Sequence, residues 1–271
     1  MNEKITLKEK ITLLGKDYTI PEETVIESFL SGAIGISIGP AERHWHLEPN
    51  EDAGLVVSFE DKTLIAICDA HHGAYASEVV IQTLETSYDR FVNCETQNTF
   101  NSILTETVKR SYEIILQTKR DRSYSFPRTA TVLLLCLITP SDVYWGSMGD
   151  AVLIAQSSNR KPTLINSPQS NAFVGWDPFM SPMAQNFSIE DDLARHLKKG
   201  KIDRKSKLQL FMSTDGLVDY YPGKLDAILT SLPNFWTQNP RTIIQKLFQT
   251  VIDQEFGDNI CSVVVNLSAA I

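Results

Sequence analysis

Residues 66 to 77, AICDAHHGAYAS, place one carboxylate and two adjacent histidines between an apolar run and the start of a helical pattern. Asp69 has counterparts elsewhere. Glu51 and Asp52 stand just before GLVVSF, Asp150 lies between VYWGSMG and AVLIA, Asp215 follows LQLFMST, and Asp258 precedes Asn259 and ICSVVVNL. Each acid abuts a stretch that carries few other charges, so the acids converge if those stretches share a sheet or sandwich. Two carboxylates about 4 Å apart repel by roughly 4 kcal/mol at an effective dielectric of about 20. Either the acids are dispersed or a cation holds them. Oxygen ligands without cysteine suit Mg²⁺ or Mn²⁺ and not structural zinc. Two such ions can bridge one water, lower its pKa and aim it at an electrophile such as phosphorus, which is hydrolytic phosphoryl transfer. An acid at a strand end is also a common turn residue or helix N-cap. Asp215-Gly216 is a familiar turn signal, and Asp69 before a helix suits capping. Spacing leaves both readings open.

The elements that must position these residues follow from periodicity. AIGISIG at 33–39, GLVVSFE at 54–60 and TLIAICD at 63–69 read as short strands, the last two joined by a tight turn at Asp61-Lys62. Val79, Val80, Leu84, Tyr88 and Phe91 recur at helical spacing, as do Ile103, Leu104, Val108, Tyr112, Ile115 and Leu116 after a linker near 93–98. TATVLLLCLI at 129–138, DVYWGSMG at 142–149 and AVLIAQ at 151–156 read as a strand meander turning at TPSD. Residues 157–206, rich in Ser, Asn, Pro and charge, read as irregular with one short helix, IEDDLARHLKKG. A strand at 208–214, helices near 216–230 and 240–254, and a final strand at 260–267 close the chain. Residues 1–30 read as an N-terminal extension with a short helix punctuated by Pro21 and Gly32, leaving one domain over 31–271. Strands, two helices, strands, two helices and a strand indicate α+β layers and not a regular βαβ alternation.

The chain has 271 residues, 42% of them hydrophobic, enough for a substantial core. A formal charge of −8, with no Lys/Arg-dense stripe, argues against a nucleic-acid partner. The four cysteines, Cys68, Cys94, Cys136 and Cys261, form no CxxC pair and read as small buried hydrophobes in a reducing compartment. The start lacks an apolar export stretch, and no segment reaches the roughly 18 apolar residues of a membrane span. The expectation is a soluble, cytoplasmic protein with no membrane partner.

In their order, PNEDAG at 49–54, CDAHHG at 68–73, RTATV at 128–132, MGDAV at 148–152, STDGLVD at 213–219 and FGDNICSVVV at 256–265 resemble the motifs of the type 2C (PPM) metal-dependent Ser/Thr protein phosphatases. The resemblance covers roughly residues 33–268. It implies a β-sandwich of two mainly antiparallel sheets flanked by helix pairs, with metals at one end between the sheets. It implies that Asp69 bridges two Mg²⁺ or Mn²⁺ ions with the Ala70 carbonyl as a further ligand. Asp215 and Asp258 would hold one ion, while Glu51 and Asp52 would bind the other directly or through its waters. Asp150 would help Asp215 hold a third. His71 would protonate the leaving seryl or threonyl oxygen, since its reference pKa lies close to neutrality. A phosphorylated protein would be the substrate, hydrolysed by direct attack of a metal-bridging water.

The chain departs from the family pattern in places. Leu47 stands where the family carries a phosphate-gripping arginine, which leaves Arg43, His46 or Arg128 as substitutes. Ala70 replaces a glycine, which suits a carbonyl ligand provided the backbone avoids positive φ. His72 also replaces a glycine and reads as a cap for the following helix or a substrate contact. His44 and His196 read as surface residues; His44 and His46 in HWH form a minor transition-metal option. The alternatives to a phosphoprotein phosphatase are a catalytically weak or inactive phosphoprotein-binding module, motivated by Leu47, and a phosphatase of small molecules.

Overall fold

The computed structural model describes residues 6–20, 23–39, 47–121, 129–157, 160–176, 187–204, 207–232, 238–254 and 257–268. Among them, two six-stranded sheets pack face to face. The first runs in the order β1 (Glu9–Leu14), β4 (Asp52–Ser58), β5 (Thr63–His71), β6 (Ala130–Ile138), β7 (Asp142–Met148) and β10 (Lys198–Asp203). The second runs β2 (Thr24–Phe29), β3 (Gly32–Ser37), β12 (Ile260–Leu267), β11 (Leu208–Ser213), β8 (Val152–Ser157) and β9 (Thr163–Leu164). Every pairing is antiparallel. This is the expected α+β sandwich.

Three apolar layers hold it together. Ile65 and Ile67 of β5, Val132 and Leu134 of β6, Leu210 and Met212 of β11 and Val263 of β12 meet between the sheets. The alternate residues, Leu64, Ala66 and Cys68 of β5 and Leu133 and Leu135 of β6, pack outward against α1 (Tyr75–Glu85), α2 (Tyr88–Val92) and α3 (Gln97–Asp121). On the far side, Phe211 and Val264 pack against Ile243, Ile244, Leu247 and Phe248 of α7 (Pro240–Ile252). The strand sequences are unbroken apolar runs because both faces of each sheet are covered. Period-two alternation is therefore invisible in them, although it still decides which residue faces which layer.

The helical pattern through Val79 to Phe91 breaks into two helices at Thr86 and Ser87, and among the described residues α1, α2 and α3 lie over the first sheet. The second sheet is flanked by α5 (Asp215–Tyr220), α6 (Lys224–Ser231) and α7. Within the stretch read as an extension with a short helix, Glu9–Leu14 pairs as edge strand β1 of one sheet and Thr24–Phe29 as edge strand β2 of the other. The segment around Pro21 is thus followed by a strand, since pairing of β2 with β3 buries Ile26 and Phe29. Part of 157–206 is also regular: α4 (Ile189–His196) matches the expected helix, and β10 closes the edge of the first sheet, with Lys199 donating to the Thr105 hydroxyl of α3 at 2.6 Å. All four cysteines are free and buried, and burial pushes the thiols of Cys68, Cys136 and Cys261 up, which leaves them inert. No helix among the described residues is long and apolar enough to cross a membrane.

Candidate metal centre

The antiparallel meander explains why distant acids meet. Asp52 opens β4 and Asp69 lies near the end of β5, directly across from it. Asp150 follows β7, Asp215 follows β11 and Asp258 precedes β12. Acids that alternately precede and follow successive antiparallel strands fall at one end of a sheet. The two sheets are tied at that end by Thr214, whose hydroxyl donates to Asp52 Oδ2 at 2.9 Å and accepts from Cys261 N at 2.9 Å.

Carboxylate oxygens of Asp69, Asp150 and Asp215 lie within 4.8 Å of one another. Asp69 is buried and faces the Asp215 carboxylate. Burial raises its carboxyl well above the usual range, and the charges of Asp215, Asp52 and Asp258 raise it further. Burial likewise lifts Asp215 to about 6, with Asp150 and Asp258 adding to the shift, and raises Asp150. Asp69 Oδ2 and Asp150 Oδ1 are buried without a hydrogen-bond partner. Crowded, desolvated, oxygen-only donors with orphaned lone pairs fit a hard divalent cation.

The supporting residues fix these acids locally. Gly216 lets α5 approach the Asp258–Asn259 loop, since a Cβ there would sit 1.9 Å from the Asn259 carbonyl oxygen. Asp215-Gly216 therefore opens a helix instead of making a turn. Gly149, at φ +110, turns the chain from β7 to Asp150, where a Cβ would come within 2.6 Å of Val132. Asn259 is a cross-link that the sequence reading missed. Its Oδ1 accepts from Glu51 N at 2.9 Å and its Nδ2 donates to the Pro49 carbonyl at 3.1 Å. The late Asp-Asn motif held the signal for it.

Glu51 sits apart from the trio in its bonding. Its Oε1 accepts main-chain N–H groups of Gly73 at 2.7 Å, Leu47 at 3.0 Å and Glu48 at 3.4 Å. This oxygen is engaged in holding the 47–51 turn against the loop before α1. Neither Asp69 nor His72 caps that helix: Ala74 occupies the N-cap, and its N–H donates to Glu48 Oε2 at 2.8 Å. Glu48 was not anticipated as the acid at this helix start. Ala70 is fully buried, and its φ is not positive, so the methyl group is tolerated where a glycine was expected. The Thr131 hydroxyl donates to the Asp69 carbonyl at 3.0 Å.

A cavity of about 260 Å³ adjoins the acids, lined by His71, His72, Ala130, Asp150, Ser170, Phe173 and Trp176. The His71 ring meets Phe173 edge-on at 4.8 Å. Burial lowers the His71 pKa below the ordinary imidazole value, and the fields of Asp215, Asp258 and Glu51 oppose that shift. The ring is a stronger acid when protonated and is less often protonated near pH 7. His72 holds φ at +61, a left-handed conformation that explains the glycine expected at this position. Leu47 is 60% exposed. Arg43, His44, His46 and Arg128 lie outside the described residues, and His196 pairs with Asp192 at 2.9 Å on α4, away from the cavity lining.

No family model and no curated protein sequence matches the chain. Solved structures do. A bacterial serine phosphatase bearing an arginine-to-alanine mutation superposes at a TM-score of 0.67 with 18% identity, over 89% of this chain and 100% of its own. The Mycobacterium tuberculosis serine/threonine phosphatase PstP/Ppp matches at 0.63 and 15%, over 88% and 98%. RsbX in complex with magnesium matches at 0.59 and 13%, over 91% and 100%.

Proposed function

We propose that this chain, whose fold is that of the type 2C serine/threonine phosphatases, is a metal-dependent phosphatase of phosphoseryl and phosphothreonyl proteins. The observation that carries the reading is the approach of Asp69, Asp150 and Asp215 oxygens to within 4.8 Å, two of the three carboxylates having a buried oxygen without a partner. Carboxylates so crowded and dry are stable only with protons or cations between them.

In this reading Asp69, Asp215 and Asp258 would hold one Mg²⁺ or Mn²⁺ ion, Asp52 and the Ala70 carbonyl would serve a second, and Asp150 would help hold a third. Glu51 acts mainly through the loops it ties together. When bound, such ions neutralise the acids and the phosphate and make water a competent nucleophile at neutral pH. The chain's residues supply the rest. Thr214 fixes one oxygen of Asp52 toward the second sheet, and Thr131 holds the main chain at Asp69. An imidazole nitrogen of His71 gives its proton to the leaving seryl or threonyl oxygen, made more acidic by burial. The test is Mn²⁺-dependent phosphate release from a phosphoseryl peptide. Asp69→Asn abolishes it, and full activity in that variant would sink the assignment.

A second reading, a phosphoprotein-binding module with weak or no turnover, has one observation in its favour. Leu47 is exposed, and no Lys or Arg is among the described residues that line the cavity. Calorimetric Mn²⁺ binding without phosphate release from any phosphopeptide would select it.

A further inference from the structure

The cavity beside the acids has a lining of two unlike kinds. His71 and Asp150 are polar; Phe173, which meets the His71 ring edge-on, and Trp176 are aromatic, their rings 5.8 Å apart and tilted by 31°. Trp176 is 53% exposed, whereas Trp145, which packs between the sheets, is 9% exposed. An indole left uncovered beside a site is commonly surface held ready for a partner.

The backbone beneath that indole is pinned. Val174 and Thr131 exchange both main-chain hydrogen bonds, at 3.0 and 2.8 Å, tying the segment to β6. Lys119 of α3 donates to the Gly175 carbonyl at 2.8 Å, and the Tyr112 hydroxyl donates to the Trp176 carbonyl at 2.9 Å. The segment is thus anchored to a strand and a helix while its largest side chain stays in solvent. A fixed aromatic loses little freedom when a ligand covers it, which is how binding hot spots work. Beside the polar His71, His72, Asp150 and Ser170, the rings of Phe173 and Trp176 are the large apolar surface of the described lining.

We infer that Phe173 and Trp176 form a side-chain subsite, continuous with the acidic centre, that takes an aromatic or large aliphatic residue adjoining the phosphoresidue of the substrate. The inference rests on the phosphatase reading for its ligand. It makes Trp176 a specificity determinant, because a small flanking residue leaves the indole uncovered and a large apolar one buries it.

The test uses the full chain with Mn²⁺ and fluorescent phosphoserine peptides, identical except that Phe, Gly or Arg flanks the phosphoserine on both sides. Anisotropy reads binding, and phosphate release is read separately. The Phe-flanked peptide binds about tenfold more tightly than the Gly-flanked one. Trp176→Ala brings the two to within about twofold, and Trp176→Phe keeps most of the preference. Equal binding of the Phe and Gly peptides, a preference that survives Trp176→Ala, or tighter binding of the Arg peptide by cation–π contact would each overturn the subsite. A Phe preference without phosphate release from any peptide supports the subsite and overturns the phosphatase reading. Release at equal kcat/KM from all three peptides, with equal binding, overturns the subsite alone.

Discussion

Asp52 and Asp69 stand directly opposite each other on neighbouring antiparallel strands, both on the face turned toward the second sheet. Like charges so placed destabilise a sheet, and here both residues are also buried. The arrangement opposes folding unless protons or cations compensate it, and four predictions rest on that cost or on the backbone that imposes it.

Replacing one of these carboxylates trades activity for stability. Asp69→Asn and Asp215→Asn each remove a desolvated charge and are expected to stabilise the metal-free chain by about 1–2 kcal/mol while abolishing phosphate release. Thermal melts in chelator, beside turnover assays in Mn²⁺, check both arms. A lowered Tm in chelator for both variants would contradict the electrostatic cost.

Stability of the metal-free chain depends on pH with a defined sign. Asp215 titrates at about 6 in the fold against an ordinary 3.8, because of burial and neighbouring acids. Below the ordinary value the group is protonated in both folded and unfolded chains, and its stabilising contribution is fully present. As pH rises toward 6 the unfolded chain releases the proton and the folded chain keeps it, so stability falls. The loss is about 3 kcal/mol for a shift of that size, shared with Asp69. Tm in chelator therefore declines less between pH 4 and 7 in Asp215→Asn than in the parent, and Mn²⁺ raises the parent's Tm more at pH 7 than at pH 5.

The left-handed backbone at His72 is a removable strain. His72→Gly is expected to stabilise the chain by about 0.5–1 kcal/mol, since glycine adopts φ near +61 without the Cβ penalty. His72→Ala keeps the penalty. Denaturant midpoints of the two variants should separate in that order, and a less stable glycine variant would show that the imidazole contributes more than the strain costs.

Gly216 sets the spacing between the loops that carry Asp215 and Asp258. Gly216→Ala drives a methyl group into the Asn259 carbonyl, so the chain loses about 2–3 kcal/mol of stability, the scale of overpacking. Mn²⁺ affinity by calorimetry should fall about tenfold or more in the same variant, because second-layer displacements of ligands act on that scale. Unchanged affinity would mean that the loops separate without moving the acids.

The acids and the apolar strands beside them were legible in the residues alone. Strong hydrophobic runs mark strands whatever covers them, and an acid next to such a run is conspicuous. The edges were not. β2 lies where Pro21 and Gly32 suggested a short helix, and β10 lies in a stretch rich in charge, because an edge strand is specified by its partner's free hydrogen bonds more than by its own pattern. Capping was not legible either: the acid at the start of α1 is Glu48, distant in sequence and close only through the 47–51 turn.

The sequence by itself determined the chemistry on offer: oxygen ligands without clustered thiols, two histidines after the central aspartate, and apolar runs enough for stacked layers. Tertiary structure alone decided which oxygens meet. Antiparallel registry carries acids from alternate strand ends to one edge, and a threonine hydroxyl ties the two sheets across it. It also decided that Glu51 spends an oxygen on three main-chain donors and that Trp176 stays in solvent on a pinned segment. Composition and local spacing fix what a residue can do, whereas long-range pairing and burial set the distances and the dielectric in which it does it.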